Sequence, residues 1–224
     1  MFNIIAPTYD TINKYMTLNS DKSWRKKVSN IVYKKNVKSI LDVATGTGDI
    51  AFEMAKDNVK IIAIDNANEM LEIAKEKSKD FNTDSIIDFQ LDDAENLTFS
   101  DNSFDAVTVG FGVRNFEDLK KGLSEMYRVL KPEGQIVILE TAVPQTIISK
   151  IGYFLHTNLL IPFLGLVIAK NSNAYKYLSK SAKNFPHGER FKEILNETGF
   201  CDVAIESETF GVVNIYSANK LINN

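Results

Sequence analysis

The sequence predicts an α/β protein: a doubly wound, mostly parallel seven-stranded sheet closed by an antiparallel hairpin and carrying an inserted helical cap. Three observations predict it. Five short β-type runs alternate with helical patterns through the first two thirds of the chain. Two further β-rich runs at the end are separated only by Gly211 and its neighbours, and an apolar stretch at 151–169 falls before them. Strands alternating with helices imply a parallel sheet covered on both faces. Two strands joined by a tight glycine turn pair antiparallel instead.

Taken in order, residues 1–37 read as N-terminal helices, and 38–141 as the core of the sheet. "KSILDVA" (38–44) runs up to Gly46, and "VKIIAID" (59–65) ends on an acid. "SIIDFQL" (85–91) is a weaker strand and "FDAVTVGF" (104–111) a clear one. Residues 117–131 read as a helix, with Leu119, Leu123, Met126, Tyr127 and Leu130 at helical spacing and Pro132 and Gly134 as the stop. "GQIVILET" (134–141) is the fifth strand. Residues 142–198 form the expected cap, and 199–220 the hairpin, "GFCDVAIESETF" followed by "GVVNIYSANK". All of this fits one domain over 1–224.

Composition bounds the function. Hydrophobic content of 44% with 25% charged residues fits a globular chain with a real core, so disorder is not expected. Cys201 is the single cysteine, which excludes an internal disulfide and a cysteine-based metal cluster. The start, "MFNIIAPTYD", has no basic segment followed by an apolar run, so a cytoplasmic address is expected. A net charge of −3 argues against a dedicated nucleic-acid binder. Its distribution is uneven: 20–38 holds seven basic residues and one acidic, and 169–192 holds six and one. Such segments are either solvated helix faces or a surface that meets something anionic, such as phospholipid headgroups.

"ILDVATGTGDIA" (40–51) places Asp42 at the end of the first strand, with Gly46 and Gly48 ahead of a helix. Glycine there allows a tight turn and close approach of backbone to a ligand. Gly46 to Ala51 also fits G-x-G-x-x-A, with Asp65 nineteen residues beyond Gly46, so a dinucleotide site has to be weighed. Two features favour S-adenosylmethionine. Asp42 can serve an ammonium rather than face a pyrophosphate, and a second acidic site follows in "LDDAENLTFSDNSFDAV". Asp65 can accept both ribose hydroxyls. Asp93 can accept from the adenine amino group, and the Ala94 N–H can donate to the ring. Thr47 and Gly110 are expected to line the floor, at the carboxyl ends of strands one and four. With the terminal hairpin, this is the outline of a class I S-adenosylmethionine-dependent methyltransferase.

"LDVATGTGD", "DDAENLTFSDNSFDAVTVGFGVRNF", "YRVLKPEGQIVILE" and "AYKYLSKSAKNFP" resemble the UbiE/MenG family, the C-methyltransferases of menaquinone and ubiquinone biosynthesis. The opening "FNIIAPTYDTINKYMTLNSDKSWRKKV" is similar to the family's N-terminal signature, so the resemblance covers nearly the whole chain. "LKPEGQ" and the glycine loop are common to many methyltransferases; "IAPTYDTIN", "GFGVRN" and "YKYLSKSAKNFP" are far more specific. The resemblance implies methylation of a ring carbon on a polyprenylated hydroquinone, demethylmenaquinol to menaquinol in the naphthoquinol case, with S-adenosyl-L-methionine as cofactor. A class I methyltransferase for another small molecule or lipid is the alternative. Family cofactor positions carry onto Thr47, Asp65 and the Asp93–Ala94 pair. Gly110 departs from a position often filled by Ser, and the closing hairpin lacks the family's Gly-Gly and His.

The implied chemistry assigns "GFGVRN" the catalytic edge. A guanidinium at Arg114 can stabilise developing phenolate charge, but its pKa above 12 makes it a poor base. A water relay oriented by Arg114, Asn115 and Tyr9 fits better. His156 and His187 have no ligand partners at metal spacing, so no metal site is expected.

The stretch "IGYFLHTNLLIPFLGLVIA" (151–169) is nearly long enough to cross a bilayer. Pro162, Gly152, Gly165 and the polar His156-Thr157-Asn158 run make it a poor span. Two short apolar helices meeting near Pro162 are expected, capping the substrate, with His156, Leu160 and Phe163 as secondary candidates for contacting it. A prenyl tail lives in the bilayer, so the partners expected are a polyprenyl quinol and, transiently, the inner face of the cytoplasmic membrane. No nucleic-acid partner is expected, and a homodimer is left open.

Overall fold

The computed structural model describes residues 2–144, 146, 149–150, 177 and 180–221. Seven strands form one sheet: β1 (Ser39–Val43), β2 (Lys60–Asp65), β3 (Ile87–Leu91), β4 (Phe104–Gly110), β5 (Leu130–Thr141), β6 (Phe200–Glu208) and β7 (Val213–Lys220). Their order across it is β3-β2-β1-β4-β5-β7-β6. The first five are parallel; β7 lies antiparallel to both β5 and β6. The helices are α1 (Phe2–Thr17), α2 (Ser20–Val32), α3 (Asp49–Met54), α4 (Asn68–Asp80), α5 (Leu119–Val129) and α6 (Glu189–Glu197).

Burial on both faces explains why the central strands read as unbroken apolar runs. Leu41, Val43, Val107, Val109, Ile136 and Ile138 face one way, onto Leu123 and Met126 of α5 and Phe191 and Leu195 of α6. Ile40, Ile61, Ala63, Ala106, Val137 and Leu139 face the other way, onto α2 through Trp24 and Val28, onto α3 through Ala51 and Met54, and onto α4 through Leu71 and Ala74. A third small cluster joins Ile5, Ala6 and Ile12 of α1 to Ala67 and Met70, which lays the first helix along α4.

Several boundaries differ from the sequence reading. The helix expected over 117–131 spans Leu119–Val129, and the strand expected from Gly134 starts at Leu130. Asp118 caps the helix, accepting from the Lys121 N–H at 3.0 Å. Leu130 keeps helical spacing but takes extended backbone and pairs with Phe104, because Lys131 precedes a proline and is biased away from helix. The third strand is also shorter than 85–91. The stretch 151–169, with His156, Leu160 and Phe163, lies outside the described residues, as does most of the expected cap. Among the described residues no helix is long and apolar enough to cross a membrane.

Candidate functional site

The carboxyl ends of β1, β2 and β4 open onto a cleft of about 780 Å³, walled by Tyr9, Asp65, Asp93, Ala94, Gly110 and Asn115 among others. A smaller chamber of about 60 Å³ adjoins it and is lined by Asp42, Thr47 and Arg25. Tyr9, Gly46, Gly110 and Phe111 line both. The fold therefore brings together most of the residues that the sequence nominates. Gly48 lines neither cavity: it precedes α3 at φ 85°, where a Cβ would meet the Phe52 ring at 2.9 Å.

The backbone at this edge is strained. Ala44 follows β1 at φ 51° and Phe111 follows β4 at φ 56°, values that residues with a Cβ avoid. Gly110 leaves space rather than special conformation: a Cβ there would lie 2.2 Å from Ile50 Cδ1, so a side chain would need the tip of Ile50 to turn away. Ile50 thus fills the room that a serine hydroxyl would need.

Asp42 is buried between its β2 and β4 neighbours, Ala63 and Thr108. Thr108 Oγ1 and Thr45 Oγ1 each donate to it at 2.6 Å. Burial raises its pKa and the two hydroxyls only partly offset that, so it rises from 3.8 to about 6. Asp65 accepts from the Gly46 and Ala67 N–H groups, each at 2.8 Å, and desolvation raises its carboxyl too. The Asn66 backbone also favours the ionised carboxylate, and at least one of the carboxylate's lone pairs stays free for a further donor. Asp93 sits in the loop after β3 and accepts from the Glu95 N–H.

A chain of ion pairs ties the N-terminal helices to the glycine loop. Thr47 Oγ1 donates to Asp10 of α1 at 2.6 Å, and Lys77 of α4 bridges Asp10 and Asp49. Arg25 of α2 bridges Asp49 and Asp21. Tyr9 is carried into the site by α1; burial raises its phenol pKa, and the nearby charge of Arg114 opposes that.

Arg114 and Asn115 lie in a 3-10 turn just beyond β4. Asn115 reaches the cleft wall, but Arg114 lines neither cavity. Its guanidinium stands 5.6 Å from the centre of the Phe111 ring, and its Nη1 pairs at 2.6 Å with Glu140, whose side chain is wholly buried. Glu140 is itself fixed by the Thr141 N–H at 2.7 Å. Arg114 Nε and Asn115 Oδ1 are buried polar atoms without a hydrogen-bond partner among the described residues. Such atoms are rare unless a ligand or water completes them. The sequence reading missed Glu140 and Lys77; a charged residue closing the apolar run "GQIVILE" was the available signal for the first. Among the described residues no cluster of His, Cys, Asp and Glu is arranged to hold a metal ion.

Comparison with known proteins gives one consistent answer. A model of the ubiE/COQ5 methyltransferase family matches residues 1–220. The chain is 42% identical to the demethylmenaquinone methyltransferase of Bacteroides fragilis over 222 residues, covering 98% of this chain and 91% of that one. It is 40% identical to the ubiquinone/menaquinone biosynthesis C-methyltransferase UbiE of Geotalea daltonii, covering 98% and 94%. Among solved structures, it is similar to phosphoethanolamine N-methyltransferase 2 of Haemonchus contortus, in complex with S-adenosyl-L-methionine. That match has a TM-score of 0.63 at 19% identity and covers 87% of this chain and 52% of that one. The CurJ carbon methyltransferase gives a TM-score of 0.67 at 18% identity, covering 94% and 58%. At these identities the structures speak for the fold alone.

Proposed function

The chain belongs to the ubiE/COQ5 methyltransferase family, and from that premise we infer that it methylates a ring carbon of a polyprenylated hydroquinone in quinone biosynthesis. The cofactor is S-adenosyl-L-methionine, and the preferred substrate is demethylmenaquinol. The observation that carries the reading is one cavity with two chemistries. Asp65 and Asp93 line part of its wall, and Asn115, beside the buried Arg114–Glu140 pair, lines another. Its volume of about 780 Å³ falls in the roughly 300–1,000 Å³ range of small-molecule sites.

The residues fit the cofactor. Asp65 can accept from the ribose hydroxyls, Asp93 and the Ala94 N–H suit the adenine, and Asp42 and Thr47 line the adjoining chamber toward which the methionine end would point. When bound, S-adenosyl-L-methionine supplies an electrophilic methyl group on a sulfonium. The chain's own work is to align the acceptor carbon, exclude water and stabilise negative charge on the neighbouring oxygen. Asn115 Oδ1 accepts a hydrogen bond from a quinol hydroxyl or from a relay water that carries the proton out to solvent. Arg114, held by Glu140, lends positive charge through Phe111 and Tyr9 rather than by contact. Tyr9 and Asn115, which line the cleft, orient the relay, and Arg114 acts on it from a distance. The quinol's tail lies in the bilayer, so the protein works at the membrane surface.

The test is incubation of the purified full chain with methyl-labelled cofactor and a panel of demethylated naphthoquinols and benzoquinols. Label is expected on a ring carbon of the naphthoquinols, with Arg114→Leu lowering turnover far more than cofactor affinity. Label on oxygen or nitrogen, or on no quinol, overturns the reading.

A further inference from the structure

Phe210 and Leu18 are the two most exposed large apolar side chains among the described residues, at 87% and 77%. A single exposed apolar side chain is ordinary. The backbone beneath these two is not. Leu18 and Asn19 have φ of 51° and 61°, and Thr209 and Phe210 have φ of 47° and 57°. Left-handed backbone is unfavourable for residues with a Cβ, most of all bulky or β-branched ones. Each side chain is therefore displayed on a strained two-residue turn, at a position where glycine would fold more easily.

Both turns flank the amino-terminal half of α2. Leu18 and Asn19 link α1 to α2. The β6–β7 turn is fastened to α2 by Trp24 Nε1, which donates to Thr209 Oγ1 at 3.0 Å, and by Lys27, which pairs with Glu208 at 2.5 Å. The helix runs against the strands: Trp24 meets Phe111 at the carboxyl end of β4, while the Val32 carbonyl accepts from Gln135 near the opposite edge. The two apolar side chains thus stand on the edge where the cleft opens.

The same helix is cationic outside. Lys22 and Lys26 are exposed and have no ion-pair partner among the described residues. Its one acid, Asp21, is buried and bonded to Arg25 and Thr17. Interfaces between proteins are depleted in lysine, whereas apolar side chains beside lysines suit the headgroup layer of an anionic membrane.

We propose that this face docks on an anionic phospholipid bilayer, with Phe210 and Leu18 entering the headgroup region and Lys22 and Lys26 resting on the headgroups. The inference deepens the quinol reading and depends on it for purpose, since docking here sets the cleft beside a bilayer-dissolved substrate.

The test is co-sedimentation of the full chain with vesicles of phosphatidylcholine containing about one quarter phosphatidylglycerol, and with phosphatidylcholine alone, at low and high salt. Retention on the anionic vesicles, weakened by salt, is expected. The double variant Leu18→Gly, Phe210→Gly should bind at least about tenfold more weakly. Its melting temperature should equal or exceed the parent's, because glycine accepts the left-handed backbone. Lys22→Glu with Lys26→Glu should also lose about tenfold or more. Equal retention of parent and glycine variant overturns the proposal, as does equal binding to neutral vesicles. A solution dimer that the glycine variant dissociates would assign the face to a second copy and overturn it too. Turnover of a tail-less demethylated naphthoquinol without vesicles should be equal in parent and variants. If no protein turns it over, the quinol reading fails while the vesicle result stands.

Discussion

Two aspartates at opposite ends of the sheet titrate in opposite directions. Asp105, near the start of β4, accepts from the Lys38 and Ser39 N–H groups and from Ser39 Oγ, and pairs with Lys131 at 2.8 Å. Desolvation raises its pKa, but Lys131 and these donors outweigh it and bring it to about 2. Asp42, near the end of β1, has two hydroxyls and, among the described residues, no cation in hydrogen-bond range, and burial carries it to about 6. The turns follow the same division. Asn58, Asn82 and Asn102, ahead of β2, β3 and β4, take left-handed backbone that asparagine tolerates. Glu133 at the amino edge of β5 departs from that pattern; at the carboxyl ends the residues with left-handed backbone are Ala44, Phe111, Thr209 and Phe210. The amino edge is built to hold the sheet together. The carboxyl edge keeps charge and strain that folding alone does not favour, and a cationic ligand gives that charge a use.

The sharpest way to break the comparison is Asp42→Asn. The native carboxyl binds its proton more tightly than the unfolded chain does, so native stability falls as pH rises from about 4 to about 6. Removing the ionisable group should therefore stabilise the protein by up to about 3 kcal/mol above pH 6, with the gain fading toward pH 4. Urea denaturation across that range reads it, and a loss of stability at pH 7 would contradict the account.

Asp105→Asn should act oppositely and less. A depressed carboxyl stabilises the native state above its ordinary value of 3.8, and that stability disappears as pH falls through about 2. The group is partly exposed, so solvent screening reduces the expected loss at pH 7 to about 1 kcal/mol. A change as large as that at Asp42 would erase the distinction between the two edges.

Much of this was legible because strands buried on both faces are apolar, so Asp42, Asp65 and Gly110 stand out at their carboxyl ends. What was not legible comes from contacts between distant positions. Glu140 meets Arg114 from a neighbouring strand, and Asp10 meets Thr47 from the first helix. Ile50 fills the space beside Gly110, which no local pattern announces. Leu130 shows how spacing misleads: its periodicity is helical, yet pairing with Phe104 makes it strand. His156, Leu160 and Phe163 lie outside the described residues, so the fold adds nothing to that part of the reading.

The central claim is that the carboxyl edge holds the cofactor through its acids. Calorimetric titration of S-adenosyl-L-methionine into the parent, Asp65→Ala and Asp105→Asn tests it most directly. Asp65→Ala should lose about a hundredfold in affinity, since two charge-assisted hydrogen bonds go with it, while Asp105→Asn should bind like the parent. Unchanged affinity in Asp65→Ala, or equal losses in both variants, would contradict the assignment.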